Sequence, residues 1–379
     1  MSKKSTLTIG LLLLMLMFLC YPNLCLQAAQ DGLLLWFNKV LPSLLPFMIL
    51  INILVPLDGL QSFITWCTPL SKRIWHLPGE SFFAFLIGLI AGYPMGAKVI
   101  KSLYTDHKLT KEEAERTLCF CNNCGPLFII GTIGTAMLSQ TNIGYFLFFI
   151  HLLSALTMSL LLTHSFPLIT SSIPNRSAPN TYPNFFKLLN LGVMNAMDTI
   201  VCVGGYIILF SVLLALLTQT PYAEQLCTNL FPMPNASTLI KGILSSILEL
   251  SNGAYNLSRM PINTYSLALI SAAIGFGGLC VYFQALFVLE DTPFDTKPFF
   301  ISKCLQGLLS FAFTLVLAPI YFNHTQNKVY TSGTISYFSS IYLWIALACF
   351  ALSILLSRFI FKKTNSCTIS KKLPISKSS

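Results

Sequence analysis

Runs of about twenty apolar residues constrain this chain more than any other feature of its sequence. A helix that crosses the hydrocarbon core of a bilayer needs about 20 predominantly apolar residues. Eight segments reach that length: residues 7–29, 33–57, 118–138, 143–165, 195–217, 264–289, 299–322 and 335–357. Only 9% of the 379 residues are charged, against about 25% in a soluble domain. The sequence therefore predicts an all-α, multi-pass integral membrane protein.

Two further apolar segments, 81–100 and 238–257, are interrupted near their middles by Gly, Pro or Asn. Backbone groups in lipid must be paired within the protein, so a broken helix persists only inside protein or beside a water-filled cavity. We interpret both segments as re-entrant hairpins that enter and leave on the same side. The predicted fold is about eight transmembrane helices plus two re-entrant hairpins.

Positive charges predict the orientation, because cytosolic loops of membrane proteins are enriched in Lys and Arg. With a cytosolic N-terminus, this topology places 19 of the 23 Lys and Arg residues inside, Lys98 and Lys303 among them. Only four residues stay outside: Lys39, Lys241, Arg259 and Lys328. A hairpin that crossed the membrane would remove this asymmetry from half of the chain.

Hydropathy and charge divide the chain into six parts. Residues 1–29 fit either an anchor helix or a signal peptide, since two lysines, an apolar run and a pair of alanines follow one another. The other parts are a first repeat (30–170), a cytosolic linker (171–190), a second repeat (191–325), a C-terminal transmembrane helix (335–357) and a basic cytosolic tail (358–379).

One short polar loop, 102–117, contains a helix start signal. Thr110 followed by Glu113 is the pattern of a capping box, in which each side chain accepts a hydrogen bond from the other residue's backbone. We interpret the helix that starts there as a solvated surface helix that continues into the membrane.

The two halves of the chain resemble each other in the order and spacing of their interruptions. Residues 92–97 correspond to 249–254 at an offset of 157, and residues 120–124 correspond to 276–280 at an offset of 156. Each repeat holds three crossings and one hairpin, so the second copy would run inverted relative to the first. Inverted repeats whose broken helices meet at the midplane are the architecture of secondary transporters.

Candidate substrate-binding residues lie at the first hairpin tip. Pro94 cannot donate a hydrogen bond to the carbonyl four residues earlier, so Gly92, Tyr93 and Pro94 predict a break whose freed backbone groups can hold a ligand. Glycines that recur every four residues here are also typical of a helix-packing seam, and that alternative stays open. Lys98 either contacts an anionic substrate or extends to the cytosolic interface.

A second candidate break follows Asn122 and Asn123, because Pro126 removes the hydrogen bond to the carbonyl of Asn122. The two amide side chains would bind substrate or join neighbouring helices, and we favour substrate binding. The glycines at the corresponding place in the second half, Gly277 and Gly278, are candidate site residues for the same reason.

Glu249 is the most informative residue of the second hairpin. A carboxyl group at membrane depth is costly and is by default a functional candidate, either as a proton relay or as a ligand. The alternative is a protonated Glu that is satisfied by a neighbouring hydroxyl. Asn252, three residues on, joins the candidate site.

Metal, cofactor and enzyme chemistry find little support in the sequence. Most of the 12 cysteines lie within apolar spans, where Cys packs as a small apolar residue. The CxxC at 121–124 has no second CxxC or His pair at zinc-like spacing. We expect no enzyme, no cofactor and no nucleic-acid partner. The expected partners are a small-molecule substrate and the lipid bilayer, and a homo-oligomer stays open.

These motifs resemble the YlbJ sporulation membrane proteins, members of the nucleoside-recognition (Gate) superfamily. The residues that carry the resemblance are Gly-Tyr-Pro-Met-Gly-Ala-Lys (92–98), Glu-Ala-Glu-Arg (113–116), Phe-Cys-Asn-Asn-Cys-Gly-Pro-Leu-Phe-Ile-Ile-Gly-Thr (120–132), Glu-Leu-Ser-Asn-Gly (249–253) and Phe-Gly-Gly-Leu-Cys-Val (276–281). The resemblance covers about residues 30–325. Cys124 departs from it, since the family often has a small residue such as Ala there.

The resemblance implies a role in spore-forming bacteria, in the outer forespore membrane or the cell membrane. It implies movement of dipicolinic acid from the mother cell across the outer forespore membrane, with hairpins and broken helices that bind the substrate. Three alternatives remain: a secondary transporter of nucleosides or other small molecules, a passive channel, and a non-transporting assembly protein of sporulation membranes.

Overall fold

The computed structural model describes residues 3–55, 60–165, 184–221, 225, 236–325 and 344–355, and every regular element in these ranges is helical. Five helices are long and apolar enough to cross a membrane, or six if the bent pair Ser62–Trp75 and Gly79–Ala91 is one span. The prediction of an all-α, multi-pass membrane protein is confirmed. The number of membrane crossings and the two re-entrant hairpins stay predictions.

The N-terminal helices differ from the predicted spans. Helix α1 spans Lys3–Cys20, and after Tyr21 helix α2 (Pro22–Leu35) continues through the π-helix Trp36–Val40 into α3 (Leu41–Leu54). The predicted separation of 7–29 from 33–57 is wrong, because Pro22–Leu54 is one continuous apolar helix. The chain breaks at Tyr21 instead, since the ring of a following proline disfavours helical backbone at the residue before it.

The first half continues with α4 (Leu60–Trp75), α5 (Gly79–Ala91), α6 (Met95–Thr105), α7 (Lys111–Cys121), the π-helix Leu127–Met137 and α8 (Thr141–Ser165). The predicted span 118–138 is therefore two helices. The predicted break at Gly92–Pro94 is confirmed, and so is the predicted break at Asn122 and Asn123, which begins directly after Cys121.

The capping box at the start of α7 is confirmed, but the surface interpretation of that helix is wrong. The Thr110 hydroxyl accepts the Glu113 N–H at 3.2 Å, and Glu113 Oε2 accepts the Thr110 N–H at 2.9 Å. Most of α7 is nevertheless buried, Glu113 and Arg116 included. Polar composition failed as a guide here because the helix packs against α5, α6 and the long helix near residue 300.

The second half comprises α9 (Phe185–Thr218), α10 (Ala236–Leu248), α11 (Leu250–Ser258), α12 (Thr264–Phe276), α13 (Gly278–Val288) and α14 (Lys297–Thr325), and α15 (Trp344–Leu355) follows. The last residues of the predicted linker 171–190 belong to α9, which begins at Phe185. Its earlier part, residues 335–343 and the tail 358–379 lie outside the described residues.

The two halves share one core. Helix α12 packs along α14, α14 also contacts α7 and α8, and α2 and α3 pack against α9. One continuous cluster of buried apolar side chains runs from Val40 to Leu309. Many large apolar side chains are exposed, with Trp66 at 73% and Trp344 at 69%. A bilayer can cover such a surface, whereas water would make it costly.

Candidate functional site

Four helix breaks converge at the centre of the molecule. The first break is Gly92–Pro94 between α5 and α6, and the second is Asn122–Pro126 after α7. The third is Glu249 between α10 and α11, and the fourth is Gly277 between α12 and α13. A break exposes backbone groups that an intact helix would pair internally. At this centre such groups lie beside buried side chains.

Close backbone contacts hold the breaks together. A Cβ on Gly92 would lie 2.8 Å from the nitrogen of Gly125, and a Cβ on Gly278 would lie 3.3 Å from the Cα of Glu249. The first break therefore touches the second, and the third touches the fourth. Tyr93 joins the two pairs, because its hydroxyl donates to the carbonyl of Ile274 at 3.2 Å.

A buried lysine from α14 anchors the second break. Lys303 Nζ donates to the carbonyl of Asn122 at 2.8 Å and to Gln306 Oε1 at 2.6 Å, and it lies 5.3 Å from the centroid of the Tyr93 ring. Gln306 Nε2 in turn donates to Asn123 Oδ1 at 3.0 Å. The sequence analysis counted Lys303 among the cytosolic charges. In the structure this lysine is buried, with only 3% of the residue exposed.

Two buried side chains at the same break carry polar atoms without a partner. Asn122 is 0% exposed, and within the described ranges neither Nδ2 nor Oδ1 has a hydrogen-bond partner. His151 of α8 is 1% exposed, and its Nε2 accepts the backbone N–H of Cys124 at 3.1 Å. Its Nδ1 has no partner among the same residues. Buried polar atoms are rarely left unpaired.

Glu249 caps the helix that follows it. Its Oε1 accepts the N–H of Ser251 at 2.8 Å and its Oε2 accepts the N–H of Asn252 at 2.7 Å. The side chain of Asn252 points elsewhere and donates to Ser211 Oγ on α9 at 2.8 Å. The N-terminus of α11 is therefore already occupied by a carboxyl group of the chain itself.

Lys98 lies on α6 rather than at the tip itself. Its Nζ donates to the carbonyl of Asn195 and to Thr199 Oγ1 on α9, both at 2.9 Å. The two interpretations of Lys98 in the sequence were a substrate contact and an interfacial lysine. The structure adds a third role, which is to tie the first half of the chain to α9.

A small cavity of about 40 Å³ lies between the breaks. Both halves line it: Tyr93, Cys124 and Gly125 come from the first, and Glu249 and Ser251 come from the second. Two predicted site residues, Lys98 and Asn252, hydrogen-bond to residues of α9 instead. The other predicted residues all lie at these breaks: Gly92, Tyr93, Pro94, Asn122, Asn123, Glu249, Gly277 and Gly278.

Lys303, Gln306 and His151 were not among the site residues predicted from the sequence. One signal was available for the α14 residues, since polar side chains recur at helical spacing inside a predicted span: Ser302, Lys303, Gln306, Ser310 and Thr314. All five are buried. Such a stripe in a membrane helix faces other helices. His151 carried a signal of its own, because an ionisable side chain inside a predicted span, here 143–165, is by default a functional candidate.

The fold and this centre define a multi-pass integral membrane protein whose broken helices enclose charged and amide side chains. Comparison with known proteins shows what the chain is similar to. Residues 37–135 match the family model described as Gate, nucleoside recognition. Over 348 residues the chain is 29% identical to the sporulation integral membrane protein YlbJ of Bacillus subtilis (strain 168), with 85% of each chain covered. No solved structure matches.

These matches confirm the resemblance that the sequence motifs indicated. The Gate match includes the first and second breaks and their candidate residues, such as Tyr93 and Asn122. The third and fourth breaks lie beyond residue 135, so the match to the relative is what covers the second half.

Proposed function

We propose that this chain is a transporter of sporulation membranes, which moves dipicolinic acid from the mother cell across the outer forespore membrane. The proposed transport involves no enzymatic activity and no cofactor. The observation that supports transport best is one cavity that three helix breaks from both halves line, with the fourth break in contact with the third. Broken helices that meet between two repeats are where secondary transporters bind substrate.

The choice of dipicolinate has separate support. The relative is named as a sporulation integral membrane protein, and the motif resemblance implies dipicolinic acid as cargo. Lys303 supports an anion, because it brings a positive charge to the second break.

The cavity implies that substrate binding requires a conformational change. Its volume is about 40 Å³, whereas pockets for small molecules typically hold about 300 Å³ or more. The structure would therefore correspond to a closed state. Rocking of one repeat against the other is the motion by which such transporters open.

Nucleoside transport is the second candidate, and the Gate description favours it. The amide groups of Asn122 and Asn123 could bind a base as well as a carboxylate. A passive channel and a non-transporting assembly protein are further alternatives with less support.

The test compares the two substrates directly. Purified protein is titrated with dipicolinate and with uridine in parallel, from about pH 5.5 to about pH 7.5, a range that spans histidine titration. We expect saturable binding of dipicolinate, and uptake into vesicles with and without a proton gradient would reveal coupling. Binding of uridine alone would replace dipicolinate by a nucleoside, and a spore former that lacks the protein should make spores poor in dipicolinate.

A further inference from the structure

The second break carries hydrogen-bond donors that lack an acceptor. An imidazole nitrogen that accepts a hydrogen bond leaves the proton of a neutral ring on the other nitrogen. Because His151 Nε2 accepts the Cys124 N–H, Nδ1 is an N–H donor, and no described residue accepts from it. The Asn122 amide adds two more donor hydrogens without a described partner.

The same break holds a positive charge without a negative partner. Lys303 Nζ contacts a backbone carbonyl, an amide oxygen and the face of the Tyr93 ring. Within the described ranges, no carboxylate oxygen lies within 4.0 Å of it. A buried ammonium group with only neutral neighbours is incompletely stabilised, since burial removes its water.

The contacts of Lys303 also exclude a metal cation from this place. Carbonyl oxygens freed by helix breaks are the groups that bind a coupling Na⁺ in many transporters. Here the ammonium group already occupies the carbonyl oxygen of Asn122 and the amide oxygen of Gln306. A second cation would meet its charge at close range, so an anionic acceptor fits the ammonium group and the unpaired donors better than a cation does.

We propose that Lys303, Asn122 and His151 form a subsite for one carboxylate group of an aromatic substrate. This inference rests on the proposed function and deepens it, because it names the residues that select an anion. Lys303 supplies the charge, and Asn122 Nδ2 and His151 Nδ1 supply neutral donors. The carboxylate stays ionised and no bond is made or broken.

Tyr93 separates this subsite from the cavity in the closed structure. Its side chain lines the cavity, and its ring lies 5.3 Å from Lys303 Nζ. A substrate carboxylate would reach Lys303 when the Tyr93 ring moves aside. Glu249 lines the same cavity from the third break, whereas Lys303 lies behind the Tyr93 ring.

The test measures binding to the full-length protein in lipid nanodiscs by calorimetry at neutral pH. The probes are dipicolinate, picolinate, uridine and picolinamide, which is picolinate with a neutral amide in place of the carboxylate. We expect wild type to prefer picolinate to picolinamide by about tenfold or more, as for hydrogen bonds to charged groups. This comparison needs no variant. Equal affinity for the two probes would overturn the subsite.

Variants then locate the charge. Lys303→Met should weaken dipicolinate binding by about tenfold or more, whereas Lys303→Arg, which keeps the charge, should lose less. Lys72→Met is the matched control, since it removes the same charge from an exposed position on α4, and it should bind like wild type.

The outcomes separate the two proposals. Wild-type affinity in a folded Lys303→Met protein would overturn the subsite and leave dipicolinate as the substrate. Binding of uridine but of neither carboxylate would overturn both the subsite and dipicolinate, while a transporter of another substrate would remain. Binding of none of the probes would overturn both proposals.

Discussion

Gly92 and Gly278 have φ angles of 80° and 81°, and both lie where two backbones touch. A side chain in this region of φ is strained. At Gly92 a Cβ would also lie 2.8 Å from the nitrogen of Gly125. Glycine at this position therefore keeps the first break in contact with the second.

We predict that Gly92→Ala destabilises the protein by about 1–3 kcal/mol, the cost of an unfavourable backbone conformation, with more from the contact. Gly205→Ala is the control, because Gly205 lies inside α9 and a Cβ there meets nothing within 4 Å. Alanine in a helix interior is favoured over glycine by about 1 kcal/mol. Thermal unfolding of the purified protein measures the stability of both variants. Similar melting temperatures for the two variants would contradict the prediction.

The two adjacent asparagines should respond in opposite ways to truncation. Asn123 bonds to Gln306 and to the carbonyl of Phe120, so Asn123→Ala should lower stability by about 1–3 kcal/mol, since a buried partner is left unpaired. Asn122→Ala removes a side chain that has no described partner. We expect it to leave stability unchanged or higher while transport falls.

Both variants need two measurements, thermal unfolding and the initial rate of uptake at several substrate concentrations. The apparent affinity should change in at least one of them. If Asn122→Ala transports like wild type, the unpaired amide has no part in substrate binding.

Glu249→Gln should reduce transport strongly while the protein stays in the membrane at normal levels. The neutral amide keeps one oxygen, so one of the two N–H groups at the start of α11 loses its acceptor. Loss of a helix cap costs about 1 kcal/mol, which is too little to unfold a domain. Uptake and membrane abundance are compared with those of Glu290→Gln, the same change at an exposed position. Loss of the protein itself would indicate a purely structural cap.

At the level of elements, the loop between α13 and α14 closes over the ends of α6 and α7. Lys101 donates to the carbonyl of Glu290 at 2.6 Å, and Glu115 Oε1 accepts the N–H of Asp295 at 2.7 Å. The rings of Tyr104 and Phe294 pack edge to face, with their centroids 4.9 Å apart. This loop therefore joins the two halves on one side of the molecule.

That side is predicted to face the cytosol. A single cysteine at position 108, in the predicted cytosolic segment 104–117, should react with an impermeant maleimide only after the membrane is opened, because the charge asymmetry places this segment inside. Position 74 should be equally inaccessible from outside. A cysteine in the predicted outside loop 323–334 should react in intact cells. Labelling of position 108 from outside would overturn the topology.

For the whole molecule, the proposed transport cycle requires the central cavity to open. Cys124 lines the cavity and is 2% exposed, so its thiol is shielded in the closed structure. With Cys124 as the sole cysteine, labelling by a permeant maleimide should rise when the transporter cycles, since domain rocking exposes the site.

Cys119 is the control for that experiment, because it lies in the last turns of α7 just before the second break, is 0% exposed and does not line the cavity. A protein with Cys119 as its sole cysteine should stay unlabelled. Unchanged labelling of Cys124 during active uptake would contradict an opening at this cavity.

Local chemistry determined much of this protein from the sequence alone. The length of the apolar runs determined the membrane class, because lipid admits only internally paired helices. Pro94 and Pro126 determined the first two breaks, since proline lacks the N–H that a helix needs at that place. Thr110 and Glu113 determined where α7 begins, because both bonds of a capping box lie within four residues.

Only the tertiary structure decided which polar groups meet. Lys303 and the carbonyl of Asn122 are 181 residues apart in the chain, and so are Tyr93 and the carbonyl of Ile274. Spacing along one helix cannot reveal such a pairing. The same holds for the continuous helix Pro22–Leu54, where Gly32 packs against Ser211 of α9 instead of ending a span. A buried charge is tolerated only where distant segments supply its partners, and folding brings those segments together.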